Sequence, residues 1–227
     1  MLNTQGRDIF ESEHEQFRDS VRKFFDVELT PNLEKWEEEG LVDKNFWLAC
    51  GEASLLCPGV PEAYGGLGLG YRYNAVIGEE LAYAGSSAGI TLQSDIVADY
   101  IINYGSEEQK RHWLPRMVTG ETITAIAMTE PGAGSDLQGV KTTARRDGNH
   151  YVINGSKTYI TNGQNADLVI VVAKTDPNAG SKGISLILVE SECEGFARGR
   201  NLDKIGQHSA DTSELFFNDV RVPLTNC

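Results

Sequence analysis

Little in this chain points to a disulfide scaffold, a metal centre or a membrane. Only 4 of its 227 residues are cysteine, and Cys50, Cys57, Cys193 and Cys227 stand in no CxxC or Cys/His spacing. A chain this long builds a core without staples, so free thiols in a reducing compartment are expected. No apolar run reaches the roughly 20 residues of a membrane-spanning helix. The start, Met1-Leu2-Asn3-Thr4-Gln5-Gly6-Arg7-Asp8, is polar, and no secretory signal is expected there. Basic residues are in the minority, 20 against 33 acidic, and the net charge of −13 with no basic cluster argues against nucleic acid and anionic membrane as partners. Internal repeats and low-complexity segments are also lacking. A soluble protein is expected, cytoplasmic, or of the mitochondrial matrix if a transit peptide was removed.

What is present changes period partway along the chain. Phe10, Phe17, Val21, Phe24 and Leu29 recur at near-helical spacing between charged residues. Thr30-Pro31 ends that helix and opens another that stops at Gly40, and a third covers residues 43–53. Residues 55–70, with two prolines and five glycines, read as an extended loop. Helices over 71–84 and 87–104 follow, then one over 107–117 opened by a Ser106/Gln109 capping box and closed by Gly120. Beyond it, residues 123–128, 141–146, 150–154, 168–174, 184–190 and 214–217 are short runs rich in β-branched or aromatic residues, bounded by Asp-Gly, Asn-Gly, Pro-Asn and Glu-Gly turns. Asp147-Gly148-Asn149 reads as a hairpin. The expected fold is α+β with two domains: an all-α domain over 1–121 and an antiparallel β-sheet or small barrel over 122–227.

The segment with most chemical character is Thr129-Glu130-Pro131-Gly132-Ala133-Gly134-Ser135-Asp136, at the end of an apolar run. Pro131 fixes φ, Gly132 and Gly134 permit positive φ, and two hydroxyls flank the turn, an arrangement able to aim amides at an electron-rich group. A plain surface turn has the same composition. Other polar candidates are blander. Adjacent Glu79 and Glu80 are expected to give one solvent and one interhelix contact. No cysteine neighbours a His or Lys that lowers its pKa, and His208 reads as a loop residue.

A second block, Asn154-Gly155-Ser156-Lys157-Thr158-Tyr159-Ile160-Thr161-Asn162-Gly163, follows the first at a spacing that, with residues 211–223, resembles the flavin-binding signature of the acyl-CoA dehydrogenase family. Pro61-Glu62-Ala63-Tyr64-Gly65-Gly66-Leu67-Gly68 and Gly105-Ser106-Glu107-Glu108-Gln109-Lys110 are similar to family patterns too, so the likeness covers nearly the whole chain. Residues 135–139, 183–190 and 211–223 look most like the long-chain subgroup.

The resemblance implies FAD as cofactor and acyl-CoA as substrate. An α-proton is removed while a hydride leaves the β-carbon for flavin N5, giving a trans-2-enoyl-CoA. It further implies that Ile126, Ala127, Met128, Thr129 and Gly134 lie along the flavin, that Tyr159 and Ile160 pack at its ring, that Thr161 stands near N5, and that Ser135 lies at flavin and CoA alike. Ser181 and Lys182 fall where the family presents a loop to CoA, although a loop lysine is more often merely solvated. Small residues at Ser86, Ser87, Ala88 and Gly89 suit either a long acyl tail or close packing. Electron-transferring flavoprotein and a homo-oligomer are the implied partners. The family's catalytic glutamate comes from a C-terminal helical bundle, so no catalytic residue is assigned here, and a chain ending at Cys227 is expected to be inactive alone. Two rival readings share these residues: an acyl-CoA oxidase or flavin monooxygenase of the same fold, and a non-enzymatic acyl-CoA-binding module.

Overall fold

A computed structural model describes residues 9–227. The polar start, on which the absence of a secretory signal was argued, lies outside the described residues. Among the described residues, no helix is long and apolar enough to cross a membrane.

Six α-helices come first among the described residues: α1 (Ser12–Glu28), α2 (Leu33–Glu39), α3 (Lys44–Glu52), α4 (Tyr71–Tyr83), α5 (Ala98–Tyr104) and α6 (Glu107–Val118). Gly40 ends α2 with φ of 70°, a left-handed turn that a side chain would strain. The capping box of α6 forms as expected, Ser106 Oγ accepting from the Gln109 amide at 3.2 Å and Gln109 Oε1 accepting from the Ser106 amide at 2.9 Å.

Two helical expectations change in detail. The buried face of α1 is His14, Arg18, Val21 and Phe25, whereas Phe10, Phe17 and Phe24 are only partly buried. Arg18 is 3 % exposed and bonds Glu79 at 2.7 Å and Glu80 at 3.1 Å, while Arg22 bonds Glu80 at 2.9 and 3.0 Å. Both glutamates therefore face α1, and neither is a plain solvent contact. The helix expected over 87–104 is interrupted at its start: residues 86–88 are irregular, and a π-helical segment, Leu92–Val97, precedes α5. Gln93 in that segment ties it to α6 and to the start of the sheet, bonding the Met117 carbonyl at 2.9 Å and the Thr124 amide at 2.9 Å.

Seven strands follow: β1 (Thr124–Ala127), β2 (Thr143–Asp147), β3 (His150–Thr161), β4 (Leu168–Lys174), β5 (Ile184–Glu190), β6 (Phe196–Asn201) and β7 (Thr212–Pro223). The β2–β3 hairpin closes with Asp147 opposite His150, and Gly148 takes φ of 59° in its turn. The sheet is mixed, since β1 and, at one residue pair, β2 run parallel to β4 while the other pairings are antiparallel. β6 was not expected from the sequence, because Arg198, Gly199 and Arg200 break its apolar pattern. One core cluster runs from the helices onto Ile123, Leu168, Ile170 and Leu188, and a second fills the space between sheet faces, so helices and sheet share buried surface.

Candidate functional site

The first motif leaves the end of β1 and is folded back by Glu130. The Glu130 amide donates to the Ala133 carbonyl at 2.9 Å and the Ala133 amide to the Glu130 carbonyl at 3.1 Å, closing a tight turn around Pro131 and Gly132. Neither Gly132 nor Gly134 has positive φ. The shape expected from glycine freedom comes instead from the Glu130 carboxylate. It accepts from the Lys141 amide at 2.6 Å, the Thr142 amide at 3.0 Å, the Thr142 hydroxyl at 2.6 Å and Lys157 Nζ at 2.9 Å. Burial alone raises this pKa, but the bonds from Thr142, Lys141 and Lys157 outweigh it and hold the carboxyl at about 2.

Left-handed backbone appears in the second motif. β3 bulges against β7 between Lys157 and Ile160, and Tyr159 and Asn162 take φ of 59° and 61°. At a non-glycine residue this conformation costs about 1–2 kcal/mol. Its effect is to turn the Tyr159 ring outward, 70 % exposed, while Ile160 beside it is buried in the sheet core. Asn162, just past the end of β3, is held from three sides: its amide donates to the Asp211 carbonyl at 3.1 Å, and its Nδ2 donates to the carbonyls of Gly89 at 3.2 Å and Thr124 at 3.0 Å.

The two motifs meet directly. The Thr158 amide donates to the Thr129 carbonyl at 2.9 Å, the Thr129 hydroxyl donates to the Thr158 carbonyl, and Lys157 Nζ donates to the Met128 carbonyl at 3.0 Å. β1 is an edge strand. The Ile123 carbonyl accepts from the Asp167 and Leu168 amides at the start of β4, whereas the Thr124 amide turns the other way, to Gln93. Backbone groups alternate along a strand, so Ala127 faces β4 and Ile126 faces the open edge. The sequence grouped residues 126–129 together; the structure gives backbone donors on the open side only to alternate members, and the side chains of Ala127 and Ile160 belong to the core.

Ser135 and Gly134 are exposed, and so are Ser181 and Lys182, in the turn Gly180–Gly183 between β4 and β5. The Ser135 loop and that turn share one end of the sheet. Ala133, Leu137 and Val140 pack with Val172, Ile184 and Leu186, and the Lys174 amide donates to the Thr142 carbonyl at 2.8 Å. Thr161 is half-buried. A cleft of about 180 Å³ lined by Asn74, Ser94, Asp95 and Asp99 shares no residue with either motif. Cys57, in the same region, has its thiol pushed up to about 12 by burial and is no nucleophile.

Three contributors were missed by the sequence reading: Lys157, Asn162 and Asp211. Asp211 is buried, accepts from the amides of Gln164 at 3.2 Å and Asn165 at 3.1 Å, and is raised to about 6 because burial outweighs those bonds. Lys157 offered a signal, being the one lysine or arginine in the strand run from His150 to Thr161; Asn162 and Asp211 act through pairings that only the fold reveals.

These residues fit a flat, electron-rich heterocycle. An edge strand offers backbone donors, Tyr159 offers an outward aromatic face, and a Cβ built on Gly132 or Gly134 meets nothing within 4 Å, so the loop is open on that side. Among the described residues, no group of His, Cys, Asp and Glu could hold a metal ion.

Comparison with known proteins agrees with this arrangement. The acyl-CoA dehydrogenase N-terminal domain matches residues 11–121 and the acyl-CoA dehydrogenase middle domain residues 125–220. A long-chain specific acyl-CoA dehydrogenase, mitochondrial, from Sus scrofa is 52 % identical over 220 residues, covering 96 % of this chain and 51 % of that protein. An acyl-CoA dehydrogenase from Geobacillus kaustophilus superposes with a TM-score of 0.94 at 53 % identity, covering 96 % of this chain and 58 % of that one. A glutaryl-CoA dehydrogenase from Mycobacterium smegmatis, solved in complex with FADH2, superposes with a TM-score of 0.86 at 33 % identity, covering 96 % of this chain and 55 % of that one. The chain spans about half the length of the curated relatives it matches. With both motifs latched together and matches along nearly its whole length, the chain belongs to the acyl-CoA dehydrogenase family.

Proposed function

We propose that this chain supplies the flavin- and CoA-facing part of an FAD-dependent enzyme that converts acyl-CoA thioesters to trans-2-enoyl-CoA. FAD, when bound, supplies the hydride acceptor. The chain's own residues bind and orient. Backbone donors of Ile126 and Met128, with Thr129, meet the pyrimidine edge of the ring, where donors stabilise the charge that reduction develops. Tyr159 covers one face, Thr161 stands at its reacting edge, and Ser135, Ser181 and Lys182 meet the CoA end of the substrate. Boundaries near residue 121 separate a helical part that shapes the acyl site from a sheet part that holds the flavin. No proton abstraction is assigned to a residue of this chain. Long-chain acyl-CoA is the first candidate substrate, electron-transferring flavoprotein the first candidate acceptor, and a homo-oligomer the expected assembly.

The observation that supports this reading is the double latch between Thr129 and Thr158, which ties the segment leaving β1 to the residue next to the exposed Tyr159. It is tested on the full-length protein by flavin absorbance and by ferricenium-coupled oxidation of acyl-CoAs from short to long chain. Stoichiometric FAD with turnover favouring long chains is expected. Protein that binds acyl-CoA but no flavin would move the chain to the binding-module reading, and rapid reoxidation by oxygen would move it to an oxidase.

A further inference from the structure

We propose that Lys157 is a positioning residue for the flavin-facing edge, setting where residues 126–129 stand relative to Thr158 and Tyr159 through bonds from one ammonium to both neighbours of Thr129. The inference rests on the flavin reading above. Lysine is almost never fully buried without a partner, yet Lys157 is 1 % exposed and ranks among the largest fully buried side chains of the described residues. Its Nζ donates to the Met128 carbonyl at 3.0 Å and to Glu130 Oε1 at 2.9 Å. Thr129 lies between those two residues, and its own partner, Thr158, is the next residue after Lys157. One side chain therefore fixes the segment on either side of the contact that joins the motifs.

Stability does not call for a charge here. Removing two ions from water is costly, and an apolar pair of similar volume often serves a fold as well. An apolar pair cannot make two directed bonds to separate points of a loop. The neighbouring Glu130 carboxylate balances the ammonium, so the role is geometric rather than that of a net field on the ring. The other bonds to Glu130, from Lys141 and Thr142, hold the carboxylate itself in place and so give the ammonium a fixed anchor.

The test uses full-length protein carrying Lys157→Met, and the double variant Lys157→Met with Glu130→Gln, which removes the buried carboxylate that the single variant leaves without its ammonium. Readouts are melting temperature, hydrogen exchange at the Thr158 amide in flavin-free protein, FAD Kd, and the fine structure of the bound flavin's visible band. The double variant is expected to fold, to exchange Thr158 faster, to bind FAD on the order of tenfold more weakly, and to show an altered flavin band. A double variant with the natural exchange rate, Kd and band overturns the positioning role. A change in melting temperature alone, with the other three readouts at their natural values, likewise overturns it and leaves a purely structural pair. Natural protein that takes up no flavin overturns the flavin reading, and this inference with it, and is told apart because it appears before any variant is made.

Discussion

Thr129 and Thr158 hold each other twice, the Thr158 amide on the Thr129 carbonyl at 2.9 Å and the Thr129 hydroxyl on the Thr158 carbonyl. The residues lie on segments that are not ladder partners, because β1 pairs with β4 and β3 with β2 and β7. The contact is thus an addition to the sheet, and it joins the two stretches of sequence that most resemble a flavin site.

Replacing Thr129 with valine keeps the shape and the backbone bond but removes the hydroxyl donor. The Thr158 carbonyl, in a residue only 7 % exposed, then loses a partner. A loss of about 1–2 kcal/mol in unfolding free energy by denaturant titration is expected, with weaker FAD binding measured on the same sample.

Tyr159 should separate stability from binding. Its φ of 59° is strained for tyrosine and free for glycine. Tyr159→Gly is expected to leave stability unchanged or raise it by up to about 1 kcal/mol, the gain in relieved strain being offset in part by a more flexible unfolded chain. The same variant should bind FAD at least about tenfold more weakly, because base–aromatic stacking of this kind is worth about 1–3 kcal/mol. Tyr159→Phe should retain affinity, and equal Kd values for the glycine and phenylalanine variants would remove the ring from the site.

Much of this was legible in the sequence because the signals were local. Helix ends at Gly40 and Ser106 and the hairpin at Gly148 follow from the conformations open to single residues, and both motifs are contiguous. What was hidden depends on partners far along the chain. Gly132 and Gly134 suggested a turn shaped by glycine, but the turn is shaped by Glu130, whose partners lie 11 to 27 residues away. The outward turn of Tyr159 depends on a bulge that follows from pairing with β7, a partner more than fifty residues away. Arg18 is one of the charged residues between the apolar positions of α1, and its burial depends on Glu79 and Glu80 of α4, some sixty residues on.

Two carboxylates give pH dependences of opposite sign. Asp211 has its pKa raised from 3.8 to about 6, so its contribution is full below pH 4 and is lost as pH rises through 6, by up to about 3 kcal/mol. Asp211→Asn should abolish that slope, seen as a urea midpoint that no longer falls between pH 4 and pH 7.

Glu130 works the other way. Its pKa falls from 4.5 to about 2, so its contribution, on the order of 3 kcal/mol, is present above pH 4.5 and is lost as pH falls toward 2. Glu130→Gln should flatten the acid limb of the same titration while leaving the limb governed by Asp211 in place.

Gly89 tests whether the helical part sets the geometry of the second motif. A Cβ there would lie 1.9 Å from Asn162 Oδ1, so alanine must push the carboxamide off the Gly89 and Thr124 carbonyls. Overpacking costs about 1–3 kcal/mol, and a buried amide stripped of partners costs a similar amount, so a loss of at least about 2 kcal/mol is expected for Gly89→Ala. Gly78→Ala in α4 is the control, since its Cβ meets only the Thr91 Cγ2 methyl at an ordinary 3.5 Å and alanine favours a helix. Asn162 adjoins Thr161 and lies three residues beyond Tyr159, so a displaced carboxamide is expected to disturb the end of β3 that carries both. Gly89→Ala should therefore weaken FAD binding as well as stability, and a variant that loses stability with unchanged Kd would show that Tyr159 is held by β3 and β7 alone.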